Sequence, residues 1–189
     1  MLFRSIRIWC AACSSGQEPY SLSMILDEMK PKLHGIQVEI VATDISEKVL
    51  AQAREGLYSQ FEVQRGLPIR YLLKHFTQVG TRWQISKAMG ERIQFKSVNL
   101  MQGFRALGPF DIIFCRNVLI YFGEQTKRDV LARMSDVLTP DGYVFLGGAE
   151  TVLGLTSSLA PHKIERSLYV QAGSAHAQPI YMFRPRQTA

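Results

Sequence analysis

Apolar residues in this chain fall into short continuous runs separated by segments of helical spacing. Ile6 to Ala11, apolar except for Arg7, predicts a buried strand. From Pro19 to Met29 the apolar residues Leu22, Ile25, Leu26 and Met29 recur as they would on one face of a helix, with Pro19 predicted at its first position. Pro31 and Gly35 mark the next turn, Val38 to Thr43 a second strand, and Ser46 to Arg54 a second helix with Ser46 as its N-cap. Strand, helix and strand in this order make a βαβ unit, which crosses over right-handed into a parallel sheet.

The rhythm breaks between Tyr58 and Met89. Pro68 to Phe76 predicts a short helix, and Phe76 to Ile85 a hairpin turning at Gly80-Thr81, so an insertion is expected over about 68–89. Ile93 to Val98 and Asp111 to Cys115 resume the parallel strands. Thr126 to Leu138 is an amphipathic helix with Val130, Leu131, Met134, Val137 and Leu138 on one side. Pro140-Asp141-Gly142 reads as a turn, Tyr143 to Leu146 as a strand, and Ile164 to Val170 as an antiparallel edge. The expected fold class is α/β, one domain over 1–171 followed by a tail over 172–189 with an apolar patch at Ile180, Tyr181, Met182 and Phe183. No internal repeat or low-complexity segment is present.

A length of 189 residues with 47% hydrophobic and 20% charged positions suits one globular domain with a real core. No apolar run reaches roughly 18 residues, so no membrane insertion is expected. Met1 to Arg7 lacks the apolar stretch of a secretion signal, and the expected location is cytoplasmic. The net charge of +6 is scattered rather than concentrated, which points to an acidic protein surface and away from nucleic acid.

Cys10, Cys13 and Cys115 cannot build a disulfide framework. Cys10 and Cys13 form a C-x-x-C behind Trp9, but a redox cysteine sits at a helix N-terminus, and here the predicted helix begins well beyond Cys13. With four dispersed histidines, His34, His75, His162 and His176, no metal site is expected.

The chemistry should lie where the strands end, because ligands of open parallel sheets bind beyond the carboxyl ends of the strands. The loop after the first strand, Ala12 to Gly16, has one glycine and small neighbours, which suits a nucleotide-like cofactor without a diphosphate. Asp44 ends the second strand, where a carboxylate can accept from ribose hydroxyls or merely cap the next helix. Glu18 either complements the helix dipole or faces a positively charged cofactor group. Asn99 ends the third strand, where an amide can pair with adenine or start a turn. Arg116 and Asn117 follow an apolar strand and need ligand contact or a pairing with Glu18 or Asp44. Tyr121 is either a core aromatic or a residue flanking the reacting group.

Taken together, Arg7 to Ser21, Ala42-Thr43-Asp44-Ile45, Ser97-Val98-Asn99-Leu100 and Phe114 to Phe122 closely resemble the chemotaxis receptor glutamate methyltransferases, the CheR family. The resemblance runs from about Arg7 to Val170 and implies the Rossmann-like class I S-adenosylmethionine-dependent methyltransferase fold, mainly parallel with an antiparallel edge strand and a small β-hairpin insertion. It implies an enzyme that transfers a methyl group from S-adenosylmethionine to receptor glutamates, leaving S-adenosylhomocysteine. On the matching positions, Glu18, Asp44, Asn99, Leu100, Arg116 and Asn117 are implied to bind the cofactor and Tyr121 to sit beside the reacting methyl. The insertion matches the subdomain with which the family docks onto the cytoplasmic domain of chemotaxis receptors. Members that need a receptor-tail pentapeptide have a longer, glycine-richer hairpin loop than Val79-Gly80-Thr81-Arg82-Trp83, so independence of the pentapeptide is expected.

The resemblance also implies an N-terminal helical domain that supplies a catalytic arginine, and this sequence, which starts almost at the first strand, is expected to lack it. The first competing reading is therefore a module that binds cofactor and receptor without efficient turnover. A second is a methyltransferase for RNA or another substrate, whose nucleic-acid binding would weaken strongly with salt.

Overall fold

Ser5–Ala11 forms β1, and its last four residues are almost wholly inaccessible. The computed structural model describes residues 5–163, 165 and 167–177, and the chain divides into two units, Met1–Asn99 and Leu100–Ala189.

In the first unit β1 pairs in parallel with β2 (Gln37–Asp44), which pairs in parallel with β6 (Ile93–Ser97). The register sets Ala11 beside Thr43 and Asp44 beside Ser97, so the carboxyl ends lie together. Trp9, Cys10, Ile40, Val41 and Ala42 are 0% exposed, as expected for parallel strands covered on both faces.

Helix α1 (Gln17–Met29) begins two residues before Pro19, after Gly16 at a left-handed φ of 93°. The prediction that placed Pro19 at the first position is corrected here. Proline is tolerated anywhere in the first turn, whose N–H groups have no acceptor within the helix. The buried face also differs from the predicted stripe: Tyr20, Ser23, Met24 and Leu26 are buried, while Ile25 and Met29 are 42% and 40% exposed. Ser23 can join that face because its hydroxyl donates to the Met89 carbonyl at 2.7 Å. Helix α2 (Glu47–Glu55) starts as predicted, with Ser46 Oγ accepting from the Val49 N–H.

The insertion holds the predicted hairpin, β4 (Phe76–Val79) and β5 (Arg82–Ile85), turning at Gly80-Thr81. It also recruits β3 (Leu57–Ser59), unseen in the sequence, giving an antiparallel sheet in the order β3-β5-β4. Two short helices, α3 (Gln60–Gln64) with a Ser59/Glu62 capping box and α4 (Ile69–His75), complete it. Tyr71 Oη donates to Glu28 at 2.7 Å and Lys74 Nζ to Asp27 at 2.9 Å, tying α4 to α1. A four-residue helix, α5 (Lys87–Gly90), leads into β6.

In the second unit β7 (Phe110–Cys115) pairs in parallel with β8 (Leu138–Leu146), and the order continues β10 (Leu168–Gln171), β9 (Leu159–Pro161) through antiparallel pairs. Helix α6 (Glu124–Asp136) precedes β8 and buries Val130, Leu131 and Met134. The predicted turn at Pro140-Asp141-Gly142 is instead a bulge inside β8. Phe110 pairs with Leu138 and Ile112 with Tyr143, so Thr139 to Gly142 stand opposite Asp111 alone. A bulge accepts proline because the unpaired residues make no ladder bond. The predicted antiparallel edge is β10, but β9 pairs on its far side and is the outer strand. Ile164 and the tail patch at Ile180 to Phe183 lie outside the described residues. The class predicted from the sequence, α/β with mainly parallel strands and an antiparallel edge, is the class observed.

Candidate functional site

In the first unit the loop leaving β1 adopts left-handed backbone at alternate residues, with φ of 60° at Ala12, 51° at Ser14 and 93° at Gly16. Each non-glycine residue held there costs about 1–2 kcal/mol. The surroundings fix the shape: Cys13 N–H donates to the Thr43 carbonyl at 2.8 Å, and Ser14 N–H to Asp44 Oδ2 at 3.0 Å. Trp9 Nε1 donates to Thr43 Oγ1 at 2.9 Å beneath them. At Gly16 an added Cβ would stand 3.0 Å from Ala53 Cβ and 3.2 Å from Tyr58 Oη, so close packing as well as φ requires glycine.

Asp44 therefore organises this end of the sheet. Its Oδ1 accepts from Ser46 N–H at 3.0 Å while Oδ2 holds Ser14. The alternative that Asp44 merely caps α2 is corrected, since Ser46 fills that place. A carboxylate offers about four acceptor sites. Two backbone donors do not exhaust them, and the side chain is half-exposed, so this residue fits a ligand carrying hydroxyl donors.

Glu18, in the first turn of α1, is half-buried beside Cys10. Burial first, and the Glu18 carboxylate second, push the Cys10 thiol well above its usual range. Burial, then Asp44, pushes Cys13 up to about 12. Both thiols are thus buried and protonated, the opposite of a redox nucleophile. Asn99 is half-buried just past β6, on a segment whose Val98 N–H donates to the Asp44 carbonyl at 2.9 Å. Tyr58 Oη donates to the Ser15 carbonyl at 2.8 Å, and burial raises its pKa.

In the second unit Leu100 is buried at 6% exposure. Arg116 and Asn117 follow β7 and are exposed, so the expected cost of burying them does not arise. Asn117 sits at a left-handed φ of 59°. Tyr121 ends a 3-10 turn, Leu119–Tyr121, at 79% exposure, which excludes a core role, while Leu119 at 1% pins the turn from below. Arg116, Asn117 and Tyr121 therefore share one loop.

That loop is held by a residue the sequence reading missed. Glu150, 9% exposed, accepts through Oε1 from the N–H groups of Val118, Leu119 and Ile120 at 3.0, 2.8 and 3.3 Å. Its Oε2 accepts from Asn117 N–H at 2.8 Å and Gly147 N–H at 2.7 Å. The available signal was Gly147-Gly148-Ala149-Glu150, a small-residue turn behind an apolar run, the same strand-end pattern that singled out the other sites.

A separate cavity of about 340 Å³ in the first unit is lined by Tyr20, Met24, Ile25, Tyr58, Val63 and Tyr71, none a predicted site residue. Glu62 and Arg65 also line it, but it takes in none of the residues at the carboxyl ends of β1, β2 and β6, so the strand ends are the better candidate. Among the described residues no cluster of metal-ligating side chains occurs, and no helix is long and apolar enough to cross a membrane.

Comparison with known proteins adds a family. Residues 2–167 match the family model described as CheR methyltransferase, SAM binding domain. The chain is 47% identical over 154 residues to "Chemotaxis protein methyltransferase 1" of Pseudomonas aeruginosa and 46% identical over 154 residues to "Chemotaxis protein methyltransferase Cher2" of Pseudomonas putida. Each match covers 79% of this chain and 56% of the relative. A Vibrio cholerae "Chemotaxis protein methyltransferase 1" is 44% identical over 156 residues, 81% of this chain and 57% of that protein. The chain thus spans little more than half the length of these curated relatives.

Proposed function

Since the chain belongs to the CheR methyltransferase family and covers its S-adenosylmethionine-binding domain, we propose that it serves methylation of glutamate side chains on chemotaxis receptors, as the cofactor-binding part of a protein-glutamate O-methyltransferase. Its α/β fold is the Rossmann-like class I fold of that family. The observation that carries the reading is Asp44: it braces the β1 loop and the α2 entry with one bond from each oxygen and keeps acceptor capacity for ribose hydroxyls. In the first unit Glu18, Asp44 and Asn99 bind the cofactor. In the second, Leu100, Arg116 and Asn117 do so, and Tyr121 helps to orient the reacting groups. The single glycine of the β1 loop suits a ligand with no diphosphate to cradle.

When bound, S-adenosylmethionine supplies an electrophilic methyl group on a sulfonium. A glutamate side chain, with a pKa of about 4.3, is already ionised at neutral pH, so the chain needs no general base. The work left to its residues is to align the receptor carboxylate and exclude water, which in favourable cases lowers a barrier by about 7–11 kcal/mol. The β4–β5 hairpin turns in only Gly80-Thr81, which supports receptor engagement without a tail pentapeptide. A cytoplasmic location accords with that partner.

Isothermal titration calorimetry with S-adenosylmethionine and S-adenosylhomocysteine tests the proposal. Saturable binding to the wild type, at least tenfold weaker in Asp44→Ala, is expected. Absence of binding to either ligand would overturn it, and methyl transfer to a receptor fragment separates an active enzyme from a binding module.

A further inference from the structure

Glu150 is a buried carboxylate whose donors belong to a surface loop. Burying a carboxylate costs free energy unless hydrogen bonds replace its water. Here the replacement comes from the N–H groups of Asn117, Val118, Leu119 and Ile120, together with Gly147. The Glu150 backbone is itself held in place: its N–H donates to the Gly147 carbonyl at 2.9 Å, and the buried Tyr169 Oη donates to its carbonyl at 3.5 Å.

Gly147 makes room for the arrangement. A Cβ there would lie 2.6 Å from Glu150 Oε2 and 3.0 Å from Asn117 N. What the clamp shapes is a loop that buries Leu119 and carries four side chains at the surface. Arg116, Asn117, Ile120 and Tyr121 are exposed, and Asn117 is held in left-handed backbone by a bond from its own N–H.

We infer that Glu150 is a positioning residue of the cofactor site: its carboxylate, given access by Gly147, presets the backbone of Asn117 to Ile120 and so fixes where Arg116, Asn117 and Tyr121 point. This rests on the reading of those three residues as cofactor-binding and reaction-orienting groups. Glu150 does not itself touch the cofactor; it acts through the loop.

Two variants test it. In Glu150→Gln the single carbonyl oxygen can serve the donors of Oε1 or those of Oε2, while the amide NH2 faces the rest. Gly147→Ala keeps the charge and obstructs the carboxylate. Val130→Ala, in the 0%-exposed core of α6, is the control for lost stability alone. Amide hydrogen exchange at Val118 and Leu119 is expected to speed up at least tenfold in both clamp variants and not in the control. S-adenosylhomocysteine should bind them at least tenfold more weakly, and KM for S-adenosylmethionine should rise by more than kcat falls. Unchanged exchange would overturn the clamp. Accelerated exchange with wild-type affinity and KM would overturn the positioning role. Failure of the wild type to bind S-adenosylhomocysteine would instead overturn the cofactor reading, and the exchange rates would still decide on the clamp.

Discussion

His75 closes α4 at 4% exposure, with its ring stacked on Tyr71 at 6.0 Å and its Nε2 buried without a hydrogen-bond partner. Burial, and secondarily the neighbouring Lys74, holds its pKa below the usual 6.5, against the opposing pull of Asp27 and Glu28. The folded protein therefore resists a proton that the unfolded chain accepts. Stability from the neutral ring is complete above the unfolded value and declines as pH falls below it, until the folded value is passed. One proton limits the slope to about 1.4 kcal/mol per pH unit. Thermal melting between about pH 7.5 and about pH 5.5 should show this decline in the wild type and a flatter profile in His75→Phe. A profile identical in the two would assign the pH dependence elsewhere.

Among the elements, α2 shows both ends of a helix doing separate work. Ser46 caps its start through a bond to Val49 N–H, and Ser46→Ala should cost about 1 kcal/mol. Its end is stricter. Gly56 takes a left-handed φ of 63°, its N–H donates to the Gln52 carbonyl at 3.0 Å, and a Cβ would meet Ile85 Cγ2 at 2.5 Å. Gly56→Ala combines left-handed strain with overpacking and should cost about 2–4 kcal/mol. Urea unfolding at unchanged m-value would measure both, and a smaller loss at Gly56 than at Ser46 would contradict the packing seen there. Ser46 was readable from the sequence because a cap is a local feature. The demand at Gly56 was not, because Ile85 reaches it only through the pairing of β3 with β5.

At the scale of the whole molecule, the three cysteines sample the core of both units. Cys10 and Cys13 lie in the first and Cys115 in the second, at 0%, 4% and 0% exposure. With thiols this buried, and Cys10 and Cys13 shifted upward, none should react with a thiol reagent in the native protein, and all three should react in denaturant. Rapid reaction of Cys10 or Cys13 under native conditions would reopen the redox reading of the C-x-x-C. The scattered charge of +6 imposes no comparable constraint on the fold.

Much was determined by the chain alone. Mainly apolar runs leading to Ala11, Asp44, Asn99 and Cys115 placed the parallel strands, and the motifs around their ends pointed to the family whose model the chain matches. These signals are local, because a buried strand, a cap or a tight hairpin is written in a few adjacent residues. Tertiary structure decided the rest. It rotated the buried face of α1 toward Tyr20 and Ser23, turned Pro140-Asp141-Gly142 into a bulge, and added β3 and β9 to their sheets. It brought Asp44 to Ser14 and Glu150 to Asn117, pairs some thirty positions apart. A carboxylate's partners are chosen by what the fold brings within hydrogen-bond reach, and no spacing along the chain records that choice.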